Sequence, residues 1–180
     1  MIRAALLLCL ALSASAQGFA SLFNGRDLDP WLGDRKIWQV ERSMLTGTSD
    51  GKSEAMLVFG GRDFGDFELR FDLRVHHGAG GVRMRGPGAG PLGVELEVGA
   101  SVVRWLVSGS SFAVVSNVRH GEWNAYRIIC KGGGFEVFHN DASSPYIITV
   151  GHLPPRGKLS LTLPAGSPST VEFRNIRLKE

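Results

Sequence analysis

Four charged side chains stand in two pairs in this chain: Arg83 and Arg85 in Gly81-Val82-Arg83-Met84-Arg85, and Glu95 and Glu97 in Val94-Glu95-Leu96-Glu97-Val98. In an extended chain, residues two apart share a face. Each pair therefore projects one way while Val82, Met84, Val94, Leu96 and Val98 project the other. If the two runs are hairpin neighbours, all four charges share one surface. Carboxylates at i and i+2 lie roughly 7 Å apart, a separation that can place an acid and a base around a single sugar. The same spacing suits cross-strand Arg–Glu ion pairs on a wet sheet face, which contribute little energetically. Spacing leaves both readings open.

Other side chains could join such a site. Trp105, between Arg104 and Leu106, could stack on a sugar ring or fill the core. His76 and His77 follow a long alternating run; as strand neighbours they face opposite sides and do not share one ion, so His76 is read as a rim contact to substrate. His120, His139 and His152 fall at expected turns or strand ends and are read as exposed. Asp27, Asp29 and Asp34 do not have the spacing of an EF-hand loop. No nucleophile elbow, phosphate loop or zinc motif is present.

The elements that must position these residues read as strands. Short period-two segments separated by Gly, Pro and Ser predict an all-β sandwich or barrel. From Phe67 to Val75 every odd position is apolar and every even one charged, so one face is buried and the other wet or functional. Val102–Val107 is more continuously apolar and reads as a central strand. Residues 125–131 and 135–140 flank Gly132-Gly133-Gly134 and predict a hairpin. In the last run the apolar phase changes between Phe173 and Ile176, which predicts a bulge near Arg174-Asn175. The 24 glycines fit many tight turns, and no linker or repeat divides the chain.

Residues 1–16 read as a cleaved signal peptide: Arg3, the apolar run Ala4–Leu12, then Ala14-Ser15-Ala16 before Gln17. A secreted or periplasmic protein is expected, with residues 17–180 as one domain. The apolar run is shorter than the about 20 residues of a membrane span. After cleavage Cys130 is the remaining cysteine, expected to be a buried core residue. The net charge of +3 comes without a Lys/Arg cluster interleaved with aromatics, so a nucleic-acid partner is not expected. Trp31, Trp38 and Trp123 are read as packing residues. Oligomeric state is left open.

Five segments carry a resemblance: Leu22–Trp31 (LFNGRDLDPW), Trp38–Gly47 (WQVERSMLTG), Phe64–Val75 (FGDFELRFDLRV), Gly121–Asn140 (GEWNAYRIICKGGGFEVFHN) and Val171–Leu178 (VEFRNIRL). Together the chain resembles secreted bacterial 3-keto-disaccharide hydrolases, also described as 3-keto-glucoside lyases and hydratases. The resemblance implies a single-domain, concanavalin A-like jelly-roll β-sandwich of two antiparallel sheets, with a small carbohydrate bound on its concave face. It also implies removal of the C2 proton of a 3-keto-glucoside, elimination at C1, and hydration. Glu95 and Glu97 then become the acid/base candidates, Arg85 the enolate stabiliser, and Arg83, Trp105 and His76 the substrate contacts. A divalent metal, calcium or manganese, could assist; no other cofactor is implied. Arg85 and Glu95 match the family pattern, whereas Glu97 stands for the usual Gln, Gly80 for Ser and Ala100 for Asp. Thr162 lies in a stretch without the usual Gln and His. These departures keep a non-catalytic carbohydrate-binding or envelope-interaction sandwich as the alternative.

Overall fold

The computed structural model describes residues 18–88, 92–107, 110–114 and 117–180; the expected signal peptide lies outside them. Strands follow one another along the described chain as β1 (Ala20–Ser21), β2 (Trp31–Leu32), β3 (Trp38–Glu41), β4 (Met44–Ser49), β5 (Ala55–Phe59), β6 (Phe67–His77), β7 (Ala79–Gly86) and β8 (Val94–Gly99). They continue as β9 (Val103–Val107), β10 (Ser110–Val114), β11 (Asn124–Lys131), β12 (Gly134–His139), β13 (Tyr146–Thr149), β14 (Lys158–Leu163) and β15 (Ser169–Lys179). All pairings are antiparallel. One sheet runs β13-β12-β11-β6-β15-β4-β3 with β1 also on β15, and the other β10-β9-β8-β7-β14-β5-β2.

The alternation read in β6 sets the inner face of the eight-stranded sheet. Phe67, Leu69, Phe71, Leu73 and Val75 are all at most 5% exposed, while Glu68, Arg70, Asp72 and Arg74 face outward in ion pairs. The opposing sheet contributes Val82, Met84, Val94, Leu96, Val98, Leu159 and Leu161 to the same core. Burying each large apolar side chain contributes about 1.5–3 kcal/mol, so the pattern of alternation holds the two layers together. Rings of Phe71, Phe173 and Trp38 pack in succession through the middle, each tilted by 44° on the next. Gly47 gives Trp38 its space: a Cβ there would stand 2.5 Å from a ring carbon of a side chain that is 0% exposed. Gly47→Ala should therefore cost about 1–3 kcal/mol as overpacking, read as a lowered midpoint in thermal unfolding.

The expected hairpin across Gly132 is β11–β12. The expected bulge is present too: the register of β15 on β6 shifts between Arg174 and Arg177, with Asn175 at φ 54. Cys130 is buried. Three expectations are corrected. The run containing Trp105 is not central: β9 lies next to the edge strand β10, a strand the sequence reading did not anticipate. Trp123 is not core packing but is clamped between the guanidinium groups of Arg74 and Arg174, at 4.5 and 4.0 Å from its ring. His139 is not exposed; it is 6% exposed, stacks on Tyr126 and hydrogen-bonds Asn124 Oδ1 at 3.1 Å. Among the described residues no helix is long and apolar enough to cross a membrane.

Candidate functional site

The hairpin β7–β8 forms as its alternation required, with Arg83 opposite Glu95 and Gly81 opposite Glu97. Antiparallel register extends these pairs into rows across the outer face of the seven-stranded sheet. One row reads Val58, Ser160, Arg83, Glu95, Leu106, and the next Met56, Thr162, Gly81, Glu97, Arg104. A glycine at the centre of the second row leaves the floor between Thr162 and Glu97 without a side chain. A Cβ at Gly81 would meet the Leu96 carbonyl oxygen at 2.3 Å, so the sheet itself demands glycine there.

Arg83 is the hub of this face. Its Nε donates to Glu95 Oε2 at 2.9 Å, and its terminal nitrogens reach both Glu95 and Glu54, with 3.1 Å to Glu54 Oε2. The other Glu95 oxygen accepts the Thr162 hydroxyl at 2.5 Å. Glu95 is 5% exposed and Arg83 7%, so the pair is removed from water and its charges are weakly screened. Burial pushes the Glu95 carboxyl above its ordinary value; the Thr162 hydrogen bond and the Arg83 charge pull it back only in part, and the Glu54 charge adds to the rise. A carboxylate so held is a stronger base than a solvated one. Glu97 is more open and accepts from Arg104 at 3.1 Å.

Arg83, Glu95 and Glu97 thus share this face, with Arg83 bonded to Glu95 and Glu97 to Arg104; the other three candidates do not join them. Arg85 leaves the face that its spacing predicted. It has φ 55 and sits where the β14–β7 register slips between Lys158 and Leu159. This bulge turns its side chain away from Arg83 to the flank of the sandwich. There it donates to the Gly65 carbonyl at 3.0 Å and to that of Gly132, and pairs with Asp66 at 2.6 Å. Trp105 takes the core alternative: it shares a face with Leu96 and Phe112, is 2% exposed and meets Phe135 edge to face. His76 lies on the outer face of the opposite sheet, 2.8 Å from Glu172.

Sequence reasoning missed Glu54, Arg104 and Thr162 as members of this cluster. Arg104 and Thr162 had a usable signal, each being the polar member of an alternating apolar run; Glu54 precedes β5 and had none. Gly80 also acquires a reason. A Cβ there would stand 2.8 Å from Val171 in the core, so the Ser expected from relatives would not fit this chain's packing. The cluster does not suit a calcium or manganese ion: both Glu95 oxygens are engaged by Thr162 and Arg83. Among the described residues no three His, Cys, Asp or Glu side chains gather around a common point.

Two antiparallel sheets packed face to face around one apolar core make a concanavalin A-like jelly-roll sandwich. Solved structures share the fold. The carbohydrate-binding module CBM66 from Bacillus subtilis aligns with TM-score 0.71 and 17% identity over 91% of this chain and 100% of its own. A candidate glycosyl hydrolase from Parabacteroides distasonis aligns with TM-score 0.69 and 20% identity over 94% and 97%. The β-glucanase of Bacillus licheniformis aligns with TM-score 0.66 and 10% identity over 91% and 98%. No curated protein matches the chain. The chain belongs to the 3-keto-alpha-glucoside-1,2-lyase-like domain family, which matches residues 18–179.

Proposed function

We propose that this protein is an exported, carbohydrate-active enzyme that cleaves 3-keto-glucosides on the outer face of β7, β8 and β14. The observation that carries the reading is Glu95: a carboxyl raised by burial, one oxygen on a guanidinium and the other on a hydroxyl, beside a second carboxylate two residues on. A ketone at C3 acidifies the C2 proton. Glu95 takes that proton, and the electron pair moves into the enolate of the C3 carbonyl, whose charge the Arg83 guanidinium stabilises. The enolate collapses with loss of the C1 substituent, which leaves as an alkoxide and takes up a proton, with Glu97 as the donor. Water then adds at C1 of the resulting enone, giving up a proton to the Glu97 carboxylate, and Glu95 returns its proton to C2. The sum is hydrolysis, and each proton is accounted for.

Thr162 fits both states of Glu95. Its hydroxyl donates to the carboxylate and, once Glu95 is protonated, turns to accept. The membership of this chain in the lyase-like family and the likeness of its fold to sugar-binding and sugar-cleaving proteins support the reading. The test is incubation of the chain from Gln17 with 3-keto-trehalose and aryl 3-keto-glucosides, with calcium, manganese and EDTA in parallel. Release of aglycone or 3-keto-glucose is expected, falling about 100-fold or more in Glu95→Gln. Sugar binding without release from a folded protein would favour the second reading, a carbohydrate-binding sandwich, for which the near-complete enclosure of Glu95 speaks.

A further inference from the structure

On the outer face of the eight-stranded sheet, away from Glu95, side chains stand in rows because register sets one beside another on each neighbouring strand. Three positions on β6 pair opposite charges directly: Glu68 beside Lys179, Asp72 beside Arg174, and Arg74 beside Glu172. One row breaks the pattern. Arg127 on β11 stands opposite Arg70 on β6, and Arg70 stands opposite Arg177 on β15. Like charges directly opposite one another destabilise a sheet, so folding gives no reason to align three guanidinium groups across adjacent strands. Glu68 offsets part of the repulsion, holding Arg70 at 2.6 Å and Arg127 at 2.7 Å. Arg177 is exposed and has no carboxylate partner among the described residues; it rests against the Phe19 ring at 5.7 Å.

A groove of about 300 Å³ opens over this row, lined by the three arginines together with Asp72, Asn140 and Asn175. Both asparagines have positive φ, Asn175 at the β15 bulge and Asn140 just past β12. Their amides are held by the protein: Asn175 Nδ2 donates to Asp72 Oδ2 at 2.7 Å, and the Asn140 amide nitrogen donates to Asn124 Oδ1 at 3.2 Å while its oxygen accepts from the Ala125 N–H at 2.9 Å. We propose that this row is a second binding site, for acidic glycans, in which Arg70, Arg127 and Arg177 hold the carboxylates of uronic-acid residues. A guanidinium fork matches a carboxylate in two-point geometry. At a strand spacing of about 4.8 Å the outer arginines stand about 10 Å apart, so a chain bearing repeated carboxylates meets more than one of them. The aromatic rings beside the row are already covered, Phe19 by Arg70 at 4.4 Å and Phe138 by Arg127 at 4.7 Å. A ring face occupied by a guanidinium is not available to a stacking nucleobase.

The experiment titrates oligogalacturonate into the chain from Gln17 by calorimetry, with its fully methyl-esterified form, a sulfated oligosaccharide and single-stranded DNA of similar length as the other arms. Oligogalacturonate is expected to bind and its neutral ester not to. Arg177→Gln should weaken binding by about tenfold, the value of one charge-assisted contact. Arg177→Glu should abolish binding and raise the thermal midpoint, because it replaces a like-charge neighbour of Arg70 by an opposite one. The thermal midpoint reads the repulsion directly, independent of any ligand. A lowered midpoint in Arg177→Glu, absent binding of oligogalacturonate, equal binding of the ester or of DNA, or tighter binding of the sulfated ligand would each overturn the assignment. Because this row lies on the other sheet, its failure leaves turnover of 3-keto-glucosides untouched, and the reverse also holds.

Discussion

Arg83→Leu is expected to lower the unfolding free energy by about 3–5 kcal/mol at neutral pH. Arg83 is the shared partner of Glu95 and Glu54, and removing it leaves the Glu95 carboxylate enclosed with only the Thr162 hydroxyl. The sign of the pH dependence follows from burial. Glu95 in the folded protein titrates above its ordinary value even with Arg83 present. Its contribution to stability is therefore complete below the unfolded value of about 4.3 and is lost as pH rises through the folded one. Without the guanidinium the folded value rises further. The deficit of the variant should be largest at neutral and alkaline pH and should shrink toward pH ~4, where Glu95 is protonated in both states. Adding Glu95→Gln should restore part of the loss at neutral pH. Urea unfolding of the three proteins at several pH values reads this; a pH-independent loss under about 1 kcal/mol would mean that the cluster is not electrostatically coupled.

Arg85→Leu should cost on the order of 3 kcal/mol for a different reason. Arg85 is 3% exposed and donates to two backbone carbonyls, those of Gly65 and Gly132, besides pairing with Asp66. A leucine would leave those carbonyls without their donor at the flank where the β11–β12 hairpin meets the β5–β6 connection. Its guanidinium does not face Glu95, so turnover per folded molecule should stay at the wild-type level while the thermal midpoint falls. A collapse of turnover with an unchanged midpoint would return Arg85 to the role the family pattern assigns it.

The contrast between Arg83 and Arg85 marks where sequence stops speaking. The β6 alternation is local: each side chain's face follows from its neighbours, and Phe67–Val75 came out as read. Arg83, Glu95 and Glu97 shared a face for the same reason. Arg85 obeys the same periodicity in sequence, but a slip on β14, more than 70 positions away, reverses it. Gly157 presses on that spot so closely that a Cβ would stand 2.6 Å from the Arg85 carbonyl carbon. Nothing near Arg85 in the chain announces that contact. The bulge at Asn175 was legible because it breaks the phase of its own strand. Trp105 was ambiguous for a reason of burial rather than register: Val103, Trp105 and Val107 alternate with Arg104 and Leu106, yet Leu106 blurred the contrast between the two faces. Glu54 was invisible, since a residue outside any alternating run carries no record of what it faces.

The thiol of Cys130 offers a clock. From Gln17 onward it is the single cysteine. It is 1% exposed, and burial pushes it up to about 11 against the partial opposing pull of the Arg85 charge. Alkylating reagents need an accessible thiolate, so the intact sandwich should refuse them and each excursion to an open form should be recorded as a covalent mark. The rate of marking then counts how often the interior is breached, at trace concentrations and without denaturant. Because Cys130 lies beside the carbonyl that Arg85 also grips, the same clock would run faster under Arg85→Leu even if only that flank loosens, separating a local breach from the unfolding of the whole.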